Sequence, residues 1–318
     1  MDFSKIKDFL ESDECDNVTI LTHKSPDGDT LGCGFAMCYL LRDMGKKANV
    51  INNEPFPKRY KEFMYPDYEP IDFEEKCVIA VDIADVKLLG DNLSEYKENG
   101  KIDLCIDHHI SNKKYAKLCY IDDEAAAACQ IIYDLIKYME RPVTKLIASC
   151  LYIGIATDTG CFKYESVTPK TLMIAAELIS YGINHGYINR MMFDVKPKGV
   201  IEVEQEVLRN LKFCFDDRCA IEFVPKALID NSGVESAEFE ELATIPLTVE
   251  GVEIGITVKE KNNNEYKLSV RTTEKHDACA FCQSFGGGGH LRAAGCQIIG
   301  TYDEVMKKIT DRAAQLFV

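Results

Sequence analysis

Residues Cys77–Val81 form an unbroken apolar run in the N-terminal half of the chain. A strand that is apolar at every position has both faces buried, which is typical of a parallel sheet covered on both sides. Other strand-like segments stand at 18–21 and 102–106, and segments with helical patterns separate the strands. This alternation predicts an α/β domain with a doubly wound parallel sheet.

The helices of this domain are indicated by their apolar spacing and their end signals. A helix is predicted at 30–44, and Gly45 is expected to cap its C-terminus. Further helices are predicted at 125–139, 144–156 and 169–180, and a further strand at 48–51.

The length of the chain favours two domains, because 318 residues exceed the roughly 250–300 at which one hydrophobic core stops growing. Lys196–Gly199 interrupt the pattern, and a helix is predicted after them, at 200–210. We therefore expect a first domain at 1–192, a linker helix within 193–210 and a smaller α/β domain at 211–318.

The second domain carries patterns of its own. A strand is predicted at 219–223 and a closing helix at 303–316. Between them, apolar residues alternate with polar ones at 252–258 and at 266–270, on either side of an asparagine-rich turn. That alternation predicts a β-hairpin.

Histidine and carboxylate side chains follow three of the predicted strands of the first domain. Binding sites of open α/β sheets form at the carboxyl ends of the strands, so these side chains are expected to meet at one edge. Nitrogen with oxygen ligands suits Mn²⁺ and similar ions, and two clusters predict a two-ion site for phosphoryl transfer. The residues are His23, Asp27, Asp29, Asp82, Asp107, His108 and His109.

The carboxylates also have ordinary structural alternatives. Asp29 suits a helix N-cap, Asp27 a turn, and Asp82 a cap of the segment after its strand. A buried carboxylate without a partner is costly, however, which favours metal binding at the end of an apolar strand. Asp158 ends an apolar helix, where the helix dipole disfavours a carboxylate unless a cation holds it.

Four glycines before His290 predict phosphate or nucleotide binding, because backbone amides without neighbouring Cβ atoms approach an anion closely. They are Gly286, Gly287, Gly288 and Gly289, and the alternative is a flexible loop. Arg271 and Arg292 are candidate phosphate ligands, or surface charges. Cys279 and Cys282 have the spacing of a metal site, but no second pair completes it, so a helix face in the core is expected.

Composition argues against several classes of protein. A net charge of -15 disfavours general binding of long duplex nucleic acid, which needs a basic surface. No apolar stretch reaches the roughly 18–20 residues that span a bilayer, and no apolar signal core begins the chain, so neither a membrane nor an export role is expected. Fourteen cysteines are then expected to be reduced thiols in the cytoplasm.

In combination the motifs resemble the DHH phosphoesterase superfamily. The Asp107–His109 signature and the Thr157–Gly160 segment belong to the resemblance, and the glycine run with Ala293–Gly295 resembles the associated C-terminal domain. The likeness is greatest to the stand-alone bifunctional oligoribonucleases and 3′-phosphoadenosine-5′-phosphate phosphatases. It implies a DHH domain, a smaller substrate-binding domain and an active site in the cleft between them.

The resemblance implies two Mn²⁺ ions, with Mg²⁺ or Co²⁺ as substitutes. One ion would be held by His23 and Asp27, the other by Asp29, His108 and Asp158, and both by Asp82. Asp107 would lie behind the ligands, and His109 would face the reacting phosphate. Arg271, the glycine run, His290 and Arg292 would bind substrate from the second domain.

The function implied is Mn²⁺-dependent hydrolysis of very short RNA or linear dinucleotides to 5′-mononucleotides. Dephosphorylation of 3′-phosphoadenosine-5′-phosphate is a second implied activity, and the partners implied are these nucleotides and a second copy in a homodimer. The alternatives are a soluble phosphodiesterase for cyclic dinucleotides such as c-di-AMP, a non-catalytic nucleotide sensor, and a pyrophosphatase or polyphosphatase. The intact ligand set argues against a sensor, and the glycine-run domain argues against a pyrophosphatase.

Three positions depart from the family pattern. Cys33 and Thr272 stand where serine is usual, and Leu291 stands where a cation is frequent. The last departure affects substrate contacts rather than metal chemistry.

Overall fold

The structure is a computed structural model that describes residues 3–98, 100–234 and 236–317. The chain divides into two compact units, with the boundary between Val195 and Lys196. Each unit has a hydrophobic core of its own.

The first unit alternates strands and helices. Its strands are β1 (Val18–Leu21), β2 (Ala48–Ile51), β3 (Cys77–Val81), β4 (Leu104–Asp107) and β5 (Leu118–Ile121). Its α-helices are α1 (Ser4–Glu11), α2 (Gly28–Asp43), α3 (Lys61–Met64), α4 (Ala128–Tyr138), α5 (Lys145–Asp158), α6 (Pro169–Ser180) and α7 (His185–Asn189). Short 3-10 turns occur at Lys58–Tyr60, Val86–Leu89 and Ser94–Lys97, and a π-helical turn at Arg190–Asp194.

The strands of the first unit form one parallel sheet in the order β2-β1-β3-β4-β5. In register, Val18 of β1 lies opposite Ala48 of β2 and Cys77 of β3. Because all strands run in the same direction, their carboxyl ends lie along one edge of the sheet. The predicted α/β domain with a parallel sheet is confirmed.

The central strand β3 is buried on both faces, as its unbroken apolar run predicts. On one face Ile79 and Val81 pack into the large core that the helices share. On the other face Val78 and Ala80 pack against a smaller cluster that includes Leu89. Leu89 and Tyr96 of that cluster stand on the two 3-10 turns that follow β3, so short turns contribute to the cover of this face. Burying each Val or Ile contributes about 1.5–3 kcal/mol.

The second unit is built on a mixed sheet. Its strands are β6 (Lys212–Cys214), β7 (Cys219–Val224), β8 (Ile254–Asn262), β9 (Glu265–Thr272), β10 (Gly288–Gly289) and β11 (Ala293–Ile299). Its α-helices are α8 (Lys198–Arg209), α9 (Lys226–Asp230), α10 (Ala278–Gln283) and α11 (Tyr302–Ala314), and a 3-10 segment spans Ser236–Thr248.

The mixed sheet has the order β10-β11-β9-β8-β7-β6. Strands β7 and β8 are parallel, and the other neighbours are antiparallel. The predicted hairpin is confirmed as β8 and β9, in which Val258 lies opposite Leu268. In α10, Phe281 and Cys282 are buried in the core of this unit, which agrees with the core interpretation of the cysteine pair.

The sequence expectations need correction at one helix and extension at several other elements. Helix α8 begins at Lys198, so Lys198 and Gly199 belong to the helix rather than to the expected break, and Pro197 is its N-cap residue. Strands β5 and β6, the pair β10–β11 and helices α1, α3, α7 and α9 are not among the predicted elements. In β11 the buried residues Ala294, Cys296 and Ile298 alternate with more exposed ones. This alternation is hard to see in the sequence because several residues of the strand are small.

Among the described residues, no helix is long and apolar enough to cross a membrane. All of the chain's 14 cysteines are free thiols, and ten of them are buried. The core of each unit uses cysteine as a small apolar side chain.

Candidate metal centre

Three adjacent strands deliver predicted ligands to the carboxyl edge of the parallel sheet. His23 stands two residues beyond β1, Asp82 directly follows β3, and His108 directly follows β4. The backbone of Asp82 has a φ of 56°, in the left-handed region that aspartate tolerates better than most residues. Its amide donates a hydrogen bond to the carbonyl of Ile106 at 2.9 Å, which fixes the turn to β4.

Asp27 caps helix α2 and faces His23 at the same time. Its Oδ1 accepts hydrogen bonds from the amides of Asp29 at 3.1 Å and Thr30 at 3.0 Å. Its Oδ2 lies 3.6 Å from Nε2 of His23. The N-cap of this helix is therefore Asp27, rather than Asp29 as the structural alternative had it, and one oxygen still faces the site.

Asp29 is held by a helix that begins about a hundred residues later in the chain. Its Oδ2 accepts a hydrogen bond from the amide of Ala128 at 2.7 Å, and its Oδ1 from that of Cys129 at 2.9 Å. Helix α4 has no side-chain cap from its own N-cap residue, Ala127, so Asp29 takes that role. These amides at the N-terminus of α4 hold the carboxylate and fix its orientation.

Helix α5 places Asp158 beside the start of α2 because the two helices pack closely through glycines. A Cβ atom on Gly32 of α2 would collide with the backbone carbonyl of Cys150 in α5. One on Gly28, at the start of α2, would collide with the side chain of Thr157, next to Asp158. Only glycine permits this approach of the backbones. The end of α5 thereby reaches the edge of the sheet where the other candidate ligands stand.

The candidate ligands form two groups that share Asp82. One group consists of His23, Asp27 and Asp82, and the other of Asp29, His108 and Asp158. Within each group the ligand atoms lie within 4.8 Å of one another. Asp82 connects the groups, since its Oδ2 lies 3.6 Å from Nε2 of His23 and its Oδ1 lies 3.6 Å from Nε2 of His108.

The imidazole of His108 is oriented for ligation through one nitrogen. Its Nδ1 lies 3.1 Å from the carbonyl oxygen of Ala125 and donates a hydrogen bond to it. That bond leaves the lone pair on Nε2, which lies 3.4 Å from Oδ2 of Asp158. A histidine ligand whose other nitrogen donates to a carbonyl is the usual arrangement at metal sites.

Asp107 organises the adjacent histidine from a fully buried position. Its Oδ1 accepts hydrogen bonds from the amide of His108 at 2.8 Å and from Nδ1 of His109 at 2.7 Å. Its Oδ2 accepts one from the side chain of Asn112 at 2.6 Å. Asp107 is thus saturated by protein donors, and it fixes the ring of His109.

The donor set fits divalent cations. In the part of the chain that the structure describes, Oδ1 of Asp82 is buried and has no hydrogen-bond partner. A buried, unpaired carboxylate oxygen is costly. Nitrogen with carboxylate oxygen around that atom is a ligand mix for Mn²⁺, Zn²⁺ or Fe²⁺, and the group count allows two ions.

Electrostatics at the site also favour a cation. Burial, together with the charge of Asp29, raises the pKa of Asp82 and of Asp158 well above the usual range. Burial lowers the pKa of His23, but the charges and hydrogen bonds of Asp27 and Asp82 outweigh it and raise that pKa to about 10. Without other positive charge, some of the crowded carboxylates thus take up protons, and the others stabilise the protonated form of His23. A divalent ion would replace those protons.

A cavity of about 260 Å³ opens on this cluster. It is lined by His23, Lys24, Ser25, Asp27, Asp82, Leu88, His109 and Asp158. Lys24, Ser25 and Leu88 are absent from the sequence prediction. Lys24 and Ser25 lie between the candidate ligands His23 and Asp27, so their position in the sequence is a signal, whereas nothing local marks Leu88.

The glycine run of the second unit forms a hairpin rather than an open anion-binding loop. Gly288 and Gly289 pair with β11, and the amide of His290 donates to the carbonyl of Ala293 at 2.8 Å. The amides of Gly286 and Gly287 also donate to protein carbonyls. These amides are therefore occupied within the protein, and only part of the run remains for a ligand.

The two candidate arginines of this unit differ in their surroundings. Nη1 of Arg292 donates to the carbonyls of Thr273 at 2.9 Å and His276 at 2.7 Å, which favours a structural role. Arg271 lies in β9 opposite Ala293, and its Nη1 donates to the carbonyl of Val270 at 3.2 Å. His290 is exposed and stands two residues before Arg292.

Cys33, the departure nearest to the site, packs behind a ligand. Its Sγ lies 3.8 Å from Oδ1 of Asp29 and 3.4 Å from Sγ of Cys129. Burial raises the pKa of both thiols well above the usual range, so they remain protonated. The two thiols are weak hydrogen-bond donors and fill the space behind Asp29. At position 33 the thiol takes the place of the usual serine hydroxyl.

Two family models match the chain. The model described as the DHH family, N-terminal domain, matches residues 17–155, and the DHHA1 domain matches residues 216–318. Each match falls within one of the two units.

Two relatives from different bacteria share one name. The bifunctional oligoribonuclease and PAP phosphatase NrnA of Thermus thermophilus is 28% identical over 306 residues, 92% of this chain and 89% of that protein. The protein of that name from Bacillus subtilis is 24% identical, over 93% of each chain.

Solved structures agree in fold. An exopolyphosphatase-related protein from Bacteroides fragilis has a TM-score of 0.85 and 25% identity, covering 94% of this chain and 92% of that one. RecJ from Thermus thermophilus in complex with Mn²⁺ has a TM-score of 0.55 and 13% identity, covering 97% of this chain and 53% of that one. The second likeness concerns the fold alone.

Proposed function

Because this chain belongs to the DHH family of metal-dependent phosphoesterases, we propose that it hydrolyses very short RNA and linear dinucleotides to 5′-mononucleotides. We propose that it also removes the 3′-phosphate of 3′-phosphoadenosine-5′-phosphate. The names of the NrnA relatives in Thermus thermophilus and Bacillus subtilis support both activities.

The observation that carries the proposal is the pair of ligand groups joined at Asp82. A carboxylate between two nitrogen-and-oxygen groups suits a pair of Mn²⁺ ions, for which Mg²⁺ or Co²⁺ would substitute. His23, Asp27 and Asp82 would hold one ion, and Asp82 with the second group would hold the other. Such a pair supplies Lewis-acid activation of water and neutralises charge on the phosphoryl group.

The residues of the chain itself would position the substrate and stabilise charge. The ring of His109, fixed through Nδ1 by Asp107, lines the cavity beside the ligands. Burial lowers the pKa of His109, but the hydrogen bond and charge of Asp107 outweigh burial and raise it. A cationic imidazole would donate a hydrogen bond to a phosphoryl oxygen as negative charge develops there.

The second domain would contribute recognition of the nucleotide. We propose Arg271, His290 and the part of the glycine run that its pairing with β11 leaves open as contacts to phosphate or sugar. Arg292 is left out of this set because two backbone carbonyls occupy its Nη1.

Product analysis by chromatography tests the proposal. The purified chain would be offered a linear dinucleotide, a five-nucleotide RNA, 3′-phosphoadenosine-5′-phosphate, cyclic di-AMP and polyphosphate in parallel, with Mn²⁺ and after chelation. We expect 5′-mononucleotides from the first two, AMP from the third, and no hydrolysis after chelation until metal is restored. Turnover of polyphosphate or cyclic di-AMP alone would replace the proposal by one of the alternatives, and no turnover of any substrate would favour a sensor.

A further inference from the structure

The cavity at the cluster has one wall that the proposed chemistry does not use. Of its eight lining residues, the ligands and His109 account for five, and Lys24, Ser25 and Leu88 remain. These three come from two segments that are joined by a backbone hydrogen bond, 2.7 Å long, from the amide of Lys24 to the carbonyl of Leu88.

Lys24 is the only lysine or arginine among the residues that line this cavity. It is exposed, and within residues 3–98, 100–234 and 236–317 its ammonium group makes no hydrogen bond or ion pair. The carboxylates of the same cavity would be neutralised by the bound ions. An unpaired ammonium directly after the ligand His23 then suits a second anionic group of the substrate, beside the reacting phosphate.

Leu88 is the only aliphatic side chain among the lining residues. It remains 38% exposed although it stands on an ordered turn. Asp85 caps that turn, accepting a hydrogen bond from the amide of Lys87 at 3.0 Å, and the amide of Leu88 donates to the carbonyl of Asp85 at 2.9 Å. An exposed leucine on a fixed turn in the wall of a cavity offers an apolar surface to the face of a ring.

We propose that Lys24 and Leu88 form a specificity subsite for a nucleotide that carries a second, non-reacting phosphate. Lys24 binds that phosphate, and Leu88 contacts the apolar face of the base or sugar. The subsite rests on the proposed function and deepens it. It favours 5′-phosphorylated dinucleotides and nucleoside 3′,5′-bisphosphates over substrates with a single phosphate.

Steady-state kinetics on a matched pair of substrates tests the phosphate contact. The readout is the ratio of kcat/KM for a 5′-phosphorylated dinucleotide to that for the same dinucleotide without the 5′-phosphate. We expect Lys24→Ala to lower this ratio about tenfold, mainly through KM, and Lys24→Arg to restore most of it. The matched control is Lys87→Ala, which removes an exposed lysine that does not line the cavity and should keep the wild-type ratio.

The base contact is tested with Leu88→Ala and the conservative Leu88→Met. We expect KM to rise about fivefold for both dinucleotides in Leu88→Ala and to stay near the wild-type value in Leu88→Met. Thermal unfolding of each variant checks that the fold is kept.

The outcomes separate the two proposals. If the wild-type chain hydrolyses neither dinucleotide, the proposed function fails. If it hydrolyses both but shows no preference for the 5′-phosphate, or if Lys24→Ala keeps the preference, the subsite is wrong while the proposed function stands. A Leu88→Ala variant within about twofold of wild type in KM would remove Leu88 from the subsite.

Discussion

Oδ1 of Asp82 lies 3.6 Å from Nε2 of His108, and no described group donates a hydrogen bond to that oxygen. Its other oxygen lies 3.6 Å from Nε2 of His23. Two imidazole nitrogens thus approach one buried carboxylate from two sides, in a site where further carboxylates crowd behind them. This arrangement leaves a gap for positive charge between the carboxylate and each ring.

The first prediction concerns that carboxylate. Asp82→Asn should lower kcat by at least about 10³-fold, because the shared ligand is lost from both groups. It should also lower the amount of Mn²⁺ that remains with the protein after gel filtration, measured by atomic emission spectroscopy. The control is Asp85→Asn, which changes a carboxylate three positions later that only caps a turn and should stay active. Near-wild-type activity in Asp82→Asn would refute the metal-centre assignment.

The two adjacent histidines should separate metal binding from charge stabilisation. His108→Asn should lose bound metal, since Nε2 of His108 faces Asp82 and Asp158. His109→Asn should keep its metal and lose about 10²–10³-fold in kcat, the usual effect of removing one hydrogen-bond donor to a developing oxyanion. Metal content and kcat of each variant would be measured in parallel. Metal loss in His109→Asn would instead make His109 a ligand, as its proximity to Asp82 permits.

Local sequence patterns predict those parts of the site that stand directly after strands. Buried strands are visible as apolar runs, and the residue after such a strand necessarily stands at the edge of the sheet. His23, Asp82 and His108 can therefore be placed together from the amino-acid sequence alone. Contacts between distant segments carry no such signal. The bond from the amide of Cys129 to Asp29 and the approach of Leu88 to Lys24 depend on helix packing and loop paths.

The glycine run shows a second limit of sequence patterns. Four glycines indicate that the backbone can be approached closely, but the sequence does not distinguish approach by a ligand from approach by another strand. In the structure a strand approaches the run, because Gly287 packs against the backbone of β11 near Gly295 and Cys296. Strand β10 contains only two residues, Gly288 and Gly289, too few for a periodic pattern.

Two substitutions in the glycine run should therefore differ in their effect on stability. A Cβ atom at Gly287 would collide with the carbonyl of Gly295, whereas at Gly288 it would meet no atom within 4 Å. Gly287→Ala should cost more than about 2 kcal/mol in unfolding free energy, and Gly288→Ala less than about 0.5 kcal/mol. Differential scanning calorimetry on the two variants measures this contrast. Equal melting temperatures would contradict the close packing of the run on β11.

The second unit should also show a pH-dependent stability that originates at Glu222. This side chain of β7 is fully buried, its Oε1 accepts a hydrogen bond from the hydroxyl of Thr257 at 2.6 Å, and its Oε2 has no hydrogen-bond partner among the described residues. Burial raises the pKa of Glu222 to about 8, from an ordinary 4.5. The folded protein therefore keeps this carboxyl protonated in a pH range where the unfolded chain has lost the proton.

The difference in protonation makes the unfolding free energy fall as the pH rises. Between pH 4.5 and about 8 the unfolded chain ionises Glu222 while the folded chain does not, so the group lowers stability increasingly as the pH rises. Glu222→Gln lacks this effect and should gain on the order of 2–4 kcal/mol over wild type at about pH 8.5, with little gain near pH 4.5. Hydrogen–deuterium exchange of peptides from β7, compared between variant and wild type at each of the two pH values, measures this gain in stability locally. Glu250→Gln, at an exposed position of the same unit, is the control and should show no such trend. A gain that is equal at both pH values would mean that Glu222 is ionised in the folded state.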